Sequence, residues 1–315
     1  MNDKGTLPAR RSTGTRCIAR ALWYVRPGVA ELRTSQILVP REGQALVKTM
    51  FTAISRGTER LVSSGAVPEA ERARMRAPLQ EGEFPFPVKY GYCAVGQVEA
   101  GPPALTGQTV FCLHPHQDWF LAPISMLVPV PAAVPAKRAT LAANMETALN
   151  ALWDSGAGPA DRIVVVGAGI VGLLIAYLAA RLPGAEVCVI DIAEERRAVV
   201  ESLGASFQCG GTGQGADVVF HTSVTPQGLQ AAIDSCGLEA TVVELSWYGE
   251  RDVSVRLGGA FHSQRLRLSP RRSARSRPAT APVGTTAGAW KPHCACCPTT
   301  GWMLSSIRRS TSTPS

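Results

Sequence analysis

The stretch from Asp161 to Asp191 constrains the fold of this 315-residue chain more than any other part of its sequence. It begins with the β-branched run Ile163 to Val166, turns through the glycine-rich segment Gly167 to Gly172, and stays apolar as far as Leu182. A second apolar run, Val187 to Ile190, leads directly into Asp191. This order predicts a strand, a tight turn, a helix and a second strand parallel to the first.

The turn has glycine at its first, third and sixth positions, which is the spacing of a dinucleotide-binding loop. Gly167 permits the tight turn, Gly169 lets the backbone approach a pyrophosphate, and Gly172 lets the helix pack closely on the strand. Ile170 and Val171 begin the helix, where free N–H groups and the helix dipole favour phosphate. The segment therefore predicts a dinucleotide site formed by these five residues.

Asp191 ends the second predicted strand, nineteen residues after Gly172. A carboxylate at this place can accept both hydroxyls of an adenosine ribose, and it repels a 2′-phosphate. The next residue is Ile192 rather than a basic one, and Arg196 and Arg197 are expected to face solvent from the following helix. The sequence therefore predicts NAD as the cofactor, with NADP disfavoured.

A transmembrane span is the competing interpretation of this stretch. Ile163 to Ala180 is an uninterrupted apolar run near the minimum length for crossing a bilayer. The glycine spacing and the charged residues at both ends of the run argue against a span, so no membrane partner is expected.

The net charge of +8 is concentrated at the two ends of the chain. Residues 270–315 contain seven basic residues and no acidic one, and residues 1–16 carry +3, which leaves −2 for residues 17–269. Binding to nucleic acid is therefore not expected. The nine cysteines lack a zinc-ribbon spacing, and the N-terminus lacks the apolar segment of a signal peptide. These features predict a cytoplasmic protein with reduced thiols.

Residues 17–138 form a series of short β-type segments separated by turns, preceded by a leader, residues 1–16, that is predicted to be disordered. The predicted strands are Ile18 to Tyr24, Val29 to Leu32, Ala45 to Phe51, Val95 to Ala100, Thr109 to Leu113 and Trp119 to Ala122. A charged helical piece is expected at Glu69 to Met75. Such spacing predicts a small, mostly antiparallel barrel domain.

Residues 139–269 alternate between helix and strand patterns and form a second predicted domain. Besides the dinucleotide unit, the predicted elements are a helix from Ala139 to Trp153, a helix from Glu194 to Leu203, a strand from Asp217 to Phe220, a helix from Pro226 to Cys236 and a strand from Thr241 to Leu245. The predicted fold class is α/β, in which the barrel is followed by a doubly wound parallel Rossmann sheet.

Several motifs and this order of domains resemble the zinc-type alcohol dehydrogenases of the medium-chain dehydrogenase/reductase superfamily, over residues 18–268. The motifs are Gly57-Thr58-Glu59, Gly91-Tyr92-Cys93-Ala94-Val95-Gly96, Gly107-Gln108-Thr109-Val110 and Gly167 to Gly172. Ser55 to Leu61, together with Gly91-Tyr92, looks most similar to the hydroxyethyl-bacteriochlorophyllide dehydrogenase branch. The resemblance implies that the barrel is chaperonin-10-like and that the protein is an NAD(P)-dependent oxidoreductase of the alcohol dehydrogenase type.

The zinc ligands of that superfamily are not preserved. The first cysteine falls on Ser55 or Arg56, the histidine falls on Tyr92, and the third ligand falls near Ala143. The four-cysteine structural zinc loop is also missing. A catalytic zinc needs three protein ligands, so we predict a zinc-free member of the superfamily with no bound metal.

Two other metal candidates are weaker. The alternating residues Cys112, His114, His116 and Asp118 could line one face of a strand, but Pro115 interrupts them, so a turn or rim feature is favoured. Glu146 lies near a ligand position of some polyol dehydrogenases, and it is better interpreted as an acid at a helix N-terminus.

Without a metal, hydroxyl groups must stabilise the reacting oxygen and move the proton. The resemblance places Ser55, Thr58 and Tyr92 at the nicotinamide end, and they are the predicted catalytic residues. Whether Tyr92 acts as an acid or fills the space of the metal stays open. His221 and Glu244 end later strands, at the edge where open sheets bind ligands, and His221 is predicted to bind the cofactor.

The predicted function is NAD-dependent oxidoreduction of a hydroxyl/carbonyl pair on a small or medium apolar substrate. Enone or quinone reduction is one alternative, and a non-catalytic or truncated dinucleotide-binding protein is another. A small-molecule substrate is the expected partner, and a homodimer is left open.

Residues 270–315 differ in composition from the rest of the chain, since they have no acidic residue, no periodicity and abundant Ser, Thr, Pro and Arg. They predict a disordered basic tail. A second hypothesis is a shift of reading frame near Ser269, because the superfamily's chain returns there to complete the barrel. Resequencing the gene tests it.

Overall fold

The computed structural model describes residues 17–270, so the predicted leader and the predicted tail from residue 271 onward lie outside the described residues. Between residues 17 and 270, no helix is both long and apolar enough to cross a membrane. The apolar run from Ile163 to Ala180 is divided between a buried strand and a helix of ten residues.

The first part of the described chain contains two antiparallel sheets. One consists, in spatial order, of β2 (Val29–Ile37), β1 (Cys17–Arg26), β5 (Val88–Lys89) and β4 (Glu81–Gly82). The other consists of β8 (Trp119–Pro123), β3 (Gln44–Thr52), β6 (Ala94–Ala100), β7 (Thr109–Cys112) and β9 (Val128–Pro129). An isolated bridge between Ala21 and Gln117 joins β1 to the segment before β8.

The five-stranded sheet follows from the alternation of apolar and polar residues along its strands. Ala45 and Val47 of β3 are buried while Lys48 is exposed. Val47 lies opposite Phe120 of β8, and both side chains pack into one apolar cluster with Val98 of β6. The predicted mostly-β barrel part is therefore present.

Helix α1 (Arg56–Ser64), between β3 and the short strands, was not predicted. The helical piece predicted at Glu69 to Met75 is wrong, because this segment forms only a 3₁₀ turn at Glu69–Glu71 and further turns. Pro68 and Pro78 flank the segment, and the residues between them are too few for a stable α-helix.

The second part is a parallel sheet of six strands with flanking helices. The strands are β10 (Arg162–Val166), β11 (Glu186–Asp191), β12 (Ser206–Cys209), β13 (Ala216–His221), β14 (Cys236–Glu244) and β15 (Arg267–Pro270). Their spatial order is β12-β11-β10-β13-β14-β15, with every pairing parallel. The helices are α2 (Ala136–Ala139), α3 (Ala142–Ser155), α4 (Ile170–Ala179), α5 (Arg197–Ser202), α6 (Pro226–Asp234) and α7 (Ala260–Ser263). The predicted α/β fold class is confirmed, although β12 and β15 were not predicted.

The two parts share an apolar core. Cys93 and Phe111 of the barrel pack in one cluster with Met145 of α3 and Ile163 of β10. Tyr92 contacts this cluster and also a second barrel cluster, on which Trp247 packs from beyond the end of β14. Tyr92 therefore lies at the boundary between the barrel and the carboxyl edge of the parallel sheet.

Candidate active site

The glycine turn has the geometry that a dinucleotide loop requires. Gly167 has a φ of +111°, and a Cβ there would lie 2.7 Å from Thr222 Oγ1. A Cβ on Gly172 would lie 1.9 Å from the carbonyl oxygen of Gly167, so only glycine permits this contact between helix and strand. A Cβ on Gly169 would meet no atom within 4 Å. The open space in front of Gly169, at the N-terminus of α4, fits a pyrophosphate, and Ile170 and Val171 form the first turn there.

The Asp191 carboxylate is held at the end of β11. Its Oδ2 accepts a hydrogen bond from the N–H of Ala168 at 2.6 Å, and its Oδ1 accepts one from Ala193 at 2.9 Å. These bonds fix the carboxylate against the glycine turn, and each oxygen has a further lone pair. Arg197 donates to Glu194 at 2.5 Å and lies over the ring of Phe207, so its guanidinium is already engaged.

The three predicted catalytic hydroxyls come together. Ser55 is the N-cap residue of α1, yet its hydroxyl caps no backbone N–H. Instead, the side chains of Ser55 and Thr58 lie close enough to the phenol of Tyr92 to affect its pKa. Burial raises the pKa of Tyr92, and the charges of Cys93 and Glu59 add to the rise, while the two neighbouring hydroxyls oppose it. Tyr92 therefore holds its proton at neutral pH. We call Ser55, Thr58 and Tyr92 the hydroxyl trio.

A buried carboxylate lies beside the hydroxyl trio. Glu59, which is 2% exposed, accepts hydrogen bonds from Tyr24 Oη and from His116 Nε2, each at 2.8 Å. Its other oxygen accepts the backbone N–H of Ser55 at 2.7 Å. Glu59 and His116 were not predicted as site residues, because Glu59 resembles an ordinary acid in the first turn of a helix.

A second cluster forms at the carboxyl edge of the parallel sheet. His221 is fully buried, and its Nδ1 lies 2.8 Å from Glu244 Oε2 while its Nε2 lies 2.7 Å from Ser223 Oγ. Ser246 and Tyr248 also contact this pair, with Tyr248 Oη 3.3 Å from Glu244. The prediction that His221 and Glu244 point to the same edge agrees with this arrangement, and the contact between them was not foreseen.

The alternating metal candidates do not converge. The His114 ring stacks on Phe120, with its Nδ1 2.8 Å from the carbonyl of Pro115, and burial lowers the pKa of His114 to about 3. His116 is bound to Glu59, and Asp118 is bound to Arg20. Within residues 17–270, no group of three His, Cys, Asp or Glu side chains is arranged to hold a metal ion.

Glu146 is not the exposed helix-terminal acid that was expected. It lies in the second turn of α3, and burial raises its pKa to about 7. Glu146 follows the first residue of α3, Ala142, by four positions, so it lies beyond the first turn. The macrodipole at the helix end therefore does not explain this residue.

Comparisons with known proteins agree with this geometry. No family model matches the chain. The uncharacterized zinc-type alcohol dehydrogenase-like protein YdjJ of Escherichia coli K12 is 24% identical over 248 residues, which are 62% of this chain and 68% of that protein. The chain is therefore similar in sequence to a zinc-type alcohol dehydrogenase-like protein.

Solved structures of several dehydrogenases show the same fold. The alcohol dehydrogenase rspB of Escherichia coli CFT073, in complex with NADH, has a TM-score of 0.69 at 15% identity, over 93% of this chain and 90% of that one. A dehydrogenase of Sinorhizobium meliloti 1021, bound to NADP, has a TM-score of 0.66 at 17% identity, over 81% of this chain and 84% of that one. At these identities the comparison concerns the fold alone.

Proposed function

We propose that the protein is a cytoplasmic NAD-dependent oxidoreductase that interconverts a hydroxyl and a carbonyl group on a small or medium apolar molecule without zinc. The observation that supports this most is the hydroxyl trio. The resemblance places two of its members, Ser55 and Tyr92, at positions of metal ligands, and Tyr92 lies at the boundary between the barrel and the cofactor edge of the sheet.

The hydroxyl trio has the chemistry that carbonyl reduction needs. The nicotinamide, when bound, supplies the hydride to the carbonyl carbon. Tyr92 is a proton donor because its phenol stays protonated at neutral pH. Ser55 and Thr58 lie beside the phenol and oppose the rise of its pKa, so they stabilise the phenolate that remains after transfer.

The choice of NAD rests on Asp191. Its carboxylate is fixed at the end of β11 and disfavours a 2′-phosphate, while Ile192 is 88% exposed and adds no positive charge. Arg197 is held by Glu194, which leaves it unsuited to recruiting a phosphate. One similar structure contains NADH and another contains NADP, so fold similarity does not decide between the two cofactors.

Turnover assays test the proposal. NADH oxidation is measured with a panel of apolar aldehydes and ketones and, in parallel, with conjugated enones and quinones. Reduction of simple carbonyls supports the proposal. Reduction confined to enones or quinones favours the alternative reductase, and NADH binding without any turnover favours a binding protein.

Tyr92→Phe is the decisive variant in the same assay. Loss of a proton donor should lower kcat by about 100-fold or more and leave the Kd for NADH unchanged. Tyr177→Phe, which lies on α4 against Arg181, is the matched control and should keep normal turnover. Equal activity of the Tyr92→Phe variant and the unmodified protein would exclude Tyr92 as the acid and leave it as a space-filling residue.

A further inference from the structure

Glu59 is a buried carboxylate with a complete set of donors. Its side chain is 1% exposed, and it accepts three hydrogen bonds, from Tyr24 Oη, His116 Nε2 and the Ser55 N–H. A buried carboxylate without such donors would cost several kcal/mol. Because a carboxylate only accepts, the Nε2 atom of His116 carries the proton of its bond.

This carboxylate is bonded directly to the backbone that carries the hydroxyl trio. The Ser55 N–H binds Glu59 Oε1 at 2.7 Å, and Thr58 directly precedes Glu59 in the first turn of α1. Since the Ser55 hydroxyl lies beside the Tyr92 phenol, the position of Glu59 determines the position of one hydroxyl neighbour of Tyr92. The negative charge of Glu59 also raises the pKa values of Tyr92 and Cys93.

His116, which is itself buried, joins Glu59 to an exposed threonine. Its Nδ1 lies 2.6 Å from Oγ1 of Thr52, which is exposed. Its ring packs against Gly91, the residue before Tyr92. A Cβ on Gly91 would lie 2.9 Å from His116 Nε2, and Gly91 has a φ of +131°. The backbone that carries Tyr92 is thus shaped around His116.

We propose that Glu59 and His116 are positioning residues of the active site, which hold the hydroxyl trio in place and keep a negative charge beside the Tyr92 phenol. The inference rests on the proposed function, in which Tyr92 is the proton donor. A nearby negative charge keeps the phenol protonated and therefore favours its role as an acid.

Other titratable groups surround Glu59 and His116, so the test must separate their effects from those of this pair. Tyr24 of β1 binds Glu59 and lies near Tyr90, and the charge of Glu59 also acts on Cys93. His114 lies near both His116 and Lys89. Burial raises the pKa of Cys93 to about 12, so Cys93 does not titrate near neutral pH.

Glu59→Gln tests the inference, because glutamine keeps the size and one carbonyl oxygen for the Ser55 N–H but removes the charge. We expect kcat for carbonyl reduction to fall at least tenfold, with an unchanged Kd for NADH. The alkaline limb of the kcat profile should move to lower pH, since the phenol loses a neighbouring negative charge. The full-length variants Glu69→Gln and His262→Asn, at exposed positions, are matched controls that should change neither quantity.

A second readout does not depend on turnover. The chain has five tyrosines, so labelling with ¹³C at the tyrosine ring and comparison with Tyr92→Phe identify the Tyr92 signal by NMR. Its ionisation should occur at lower pH in Glu59→Gln than in the unmodified protein. Ionisation of Tyr92 at a lower pH in Glu59→Gln supports the inference even if no substrate is found, in which case only the proposed function fails. Ionisation of Tyr92 at the same pH in both proteins overturns the inference, whatever the activity.

Tyr24→Phe keeps the inference testable if Glu59→Gln does not fold. It removes one donor to Glu59 and changes no charge in the native pair, so kcat should fall by a few fold while thermal stability stays sufficient for assay. An unchanged kcat in Tyr24→Phe, with normal turnover in the unmodified protein, would count against positioning by this pair.

Discussion

The barrel and the parallel sheet each contain one carboxylate–imidazole pair, and the two pairs are assembled differently. Glu59 and His116 are 57 residues apart, and they come from α1 and from the loop between β7 and β8. Glu244 and His221 are direct neighbours in the register of β13 and β14. Tertiary packing therefore creates the first pair, and sheet register creates the second.

The surroundings of the pairs indicate different roles. The Glu244 side chain is 12% exposed, whereas that of Glu59 is 1% exposed. The Ser223 hydroxyl beside His221 lies 2.0 Å from the place where a Cβ on Gly228 would stand, so α6 covers it. We expect the barrel pair to affect turnover, and the sheet pair to shape the cofactor edge and affect binding.

Removing each carboxylate tests this comparison most strongly. Glu59→Ala leaves the donors of Tyr24, Ser55 and His116 without an acceptor, so we expect the free energy of unfolding to fall by about 3 kcal/mol. Glu244→Ala should cost about 1 kcal/mol, because water can reach the vacated position. Urea denaturation measures both values, and equal losses would remove the distinction between the two pairs.

The same contrast shows what sequence can predict. His221 and Glu244 were placed at one edge because parallel strands end together, and the glycine turn and Asp191 were placed by spacing within one βαβ unit. Glu59 and His116 have no such local signal, since α1 was not predicted and the HxH segment was interpreted as a turn. Burial of an acidic residue depends on which distant side chains enclose it, and no periodic pattern in the sequence identifies those side chains.

Glu146 is a third carboxyl group to compare with the two pairs, and it is buried without the hydrogen-bond donors that they have. Its pKa is about 7 in the folded protein, above the ordinary 4.5, because of burial. The folded state therefore binds this proton more tightly than the unfolded state. Stability from this group is fully present below pH 4.5 and is lost as the pH rises through 7.

Glu146→Gln should remove this loss. Between pH 4.5 and 8, the variant should gain about 2 kcal/mol in free energy of unfolding relative to the unmodified protein, with no difference near pH 4. Glu195→Gln, at an exposed position, is the matched control. A parallel pH dependence of the Glu146→Gln variant and the unmodified protein, measured by urea denaturation, would contradict the assignment.

Asp191→Ser changes only the cofactor edge of the parallel sheet and leaves the barrel pair intact. It removes an acceptor for the ribose hydroxyls and a charge that repels a 2′-phosphate. NADH binding should therefore weaken about tenfold, or about 1.4 kcal/mol, and the difference in affinity between NADH and NADPH should become smaller. Fluorescence titration with both cofactors measures the change, with Glu195→Ser as control. Tighter binding of NADPH than NADH by the unmodified protein would show that Asp191 does not select NAD.

The smallest expected effect is that of metal removal. The resemblance places Ser55, Tyr92 and Ala143 at the positions of zinc ligands, and a neutral hydroxyl, a protonated phenol and a methyl group are poor donors to Zn²⁺. Purified protein should therefore contain well under one zinc per chain by elemental analysis, and treatment with a chelator should leave turnover unchanged. Because the hydroxyl trio performs the proton transfer in this scheme, Tyr92→Phe should remove activity that the chelator does not. Stoichiometric zinc, with activity that the chelator abolishes, would move the acid role from Tyr92 to a metal and leave Glu59 and His116 as structural support.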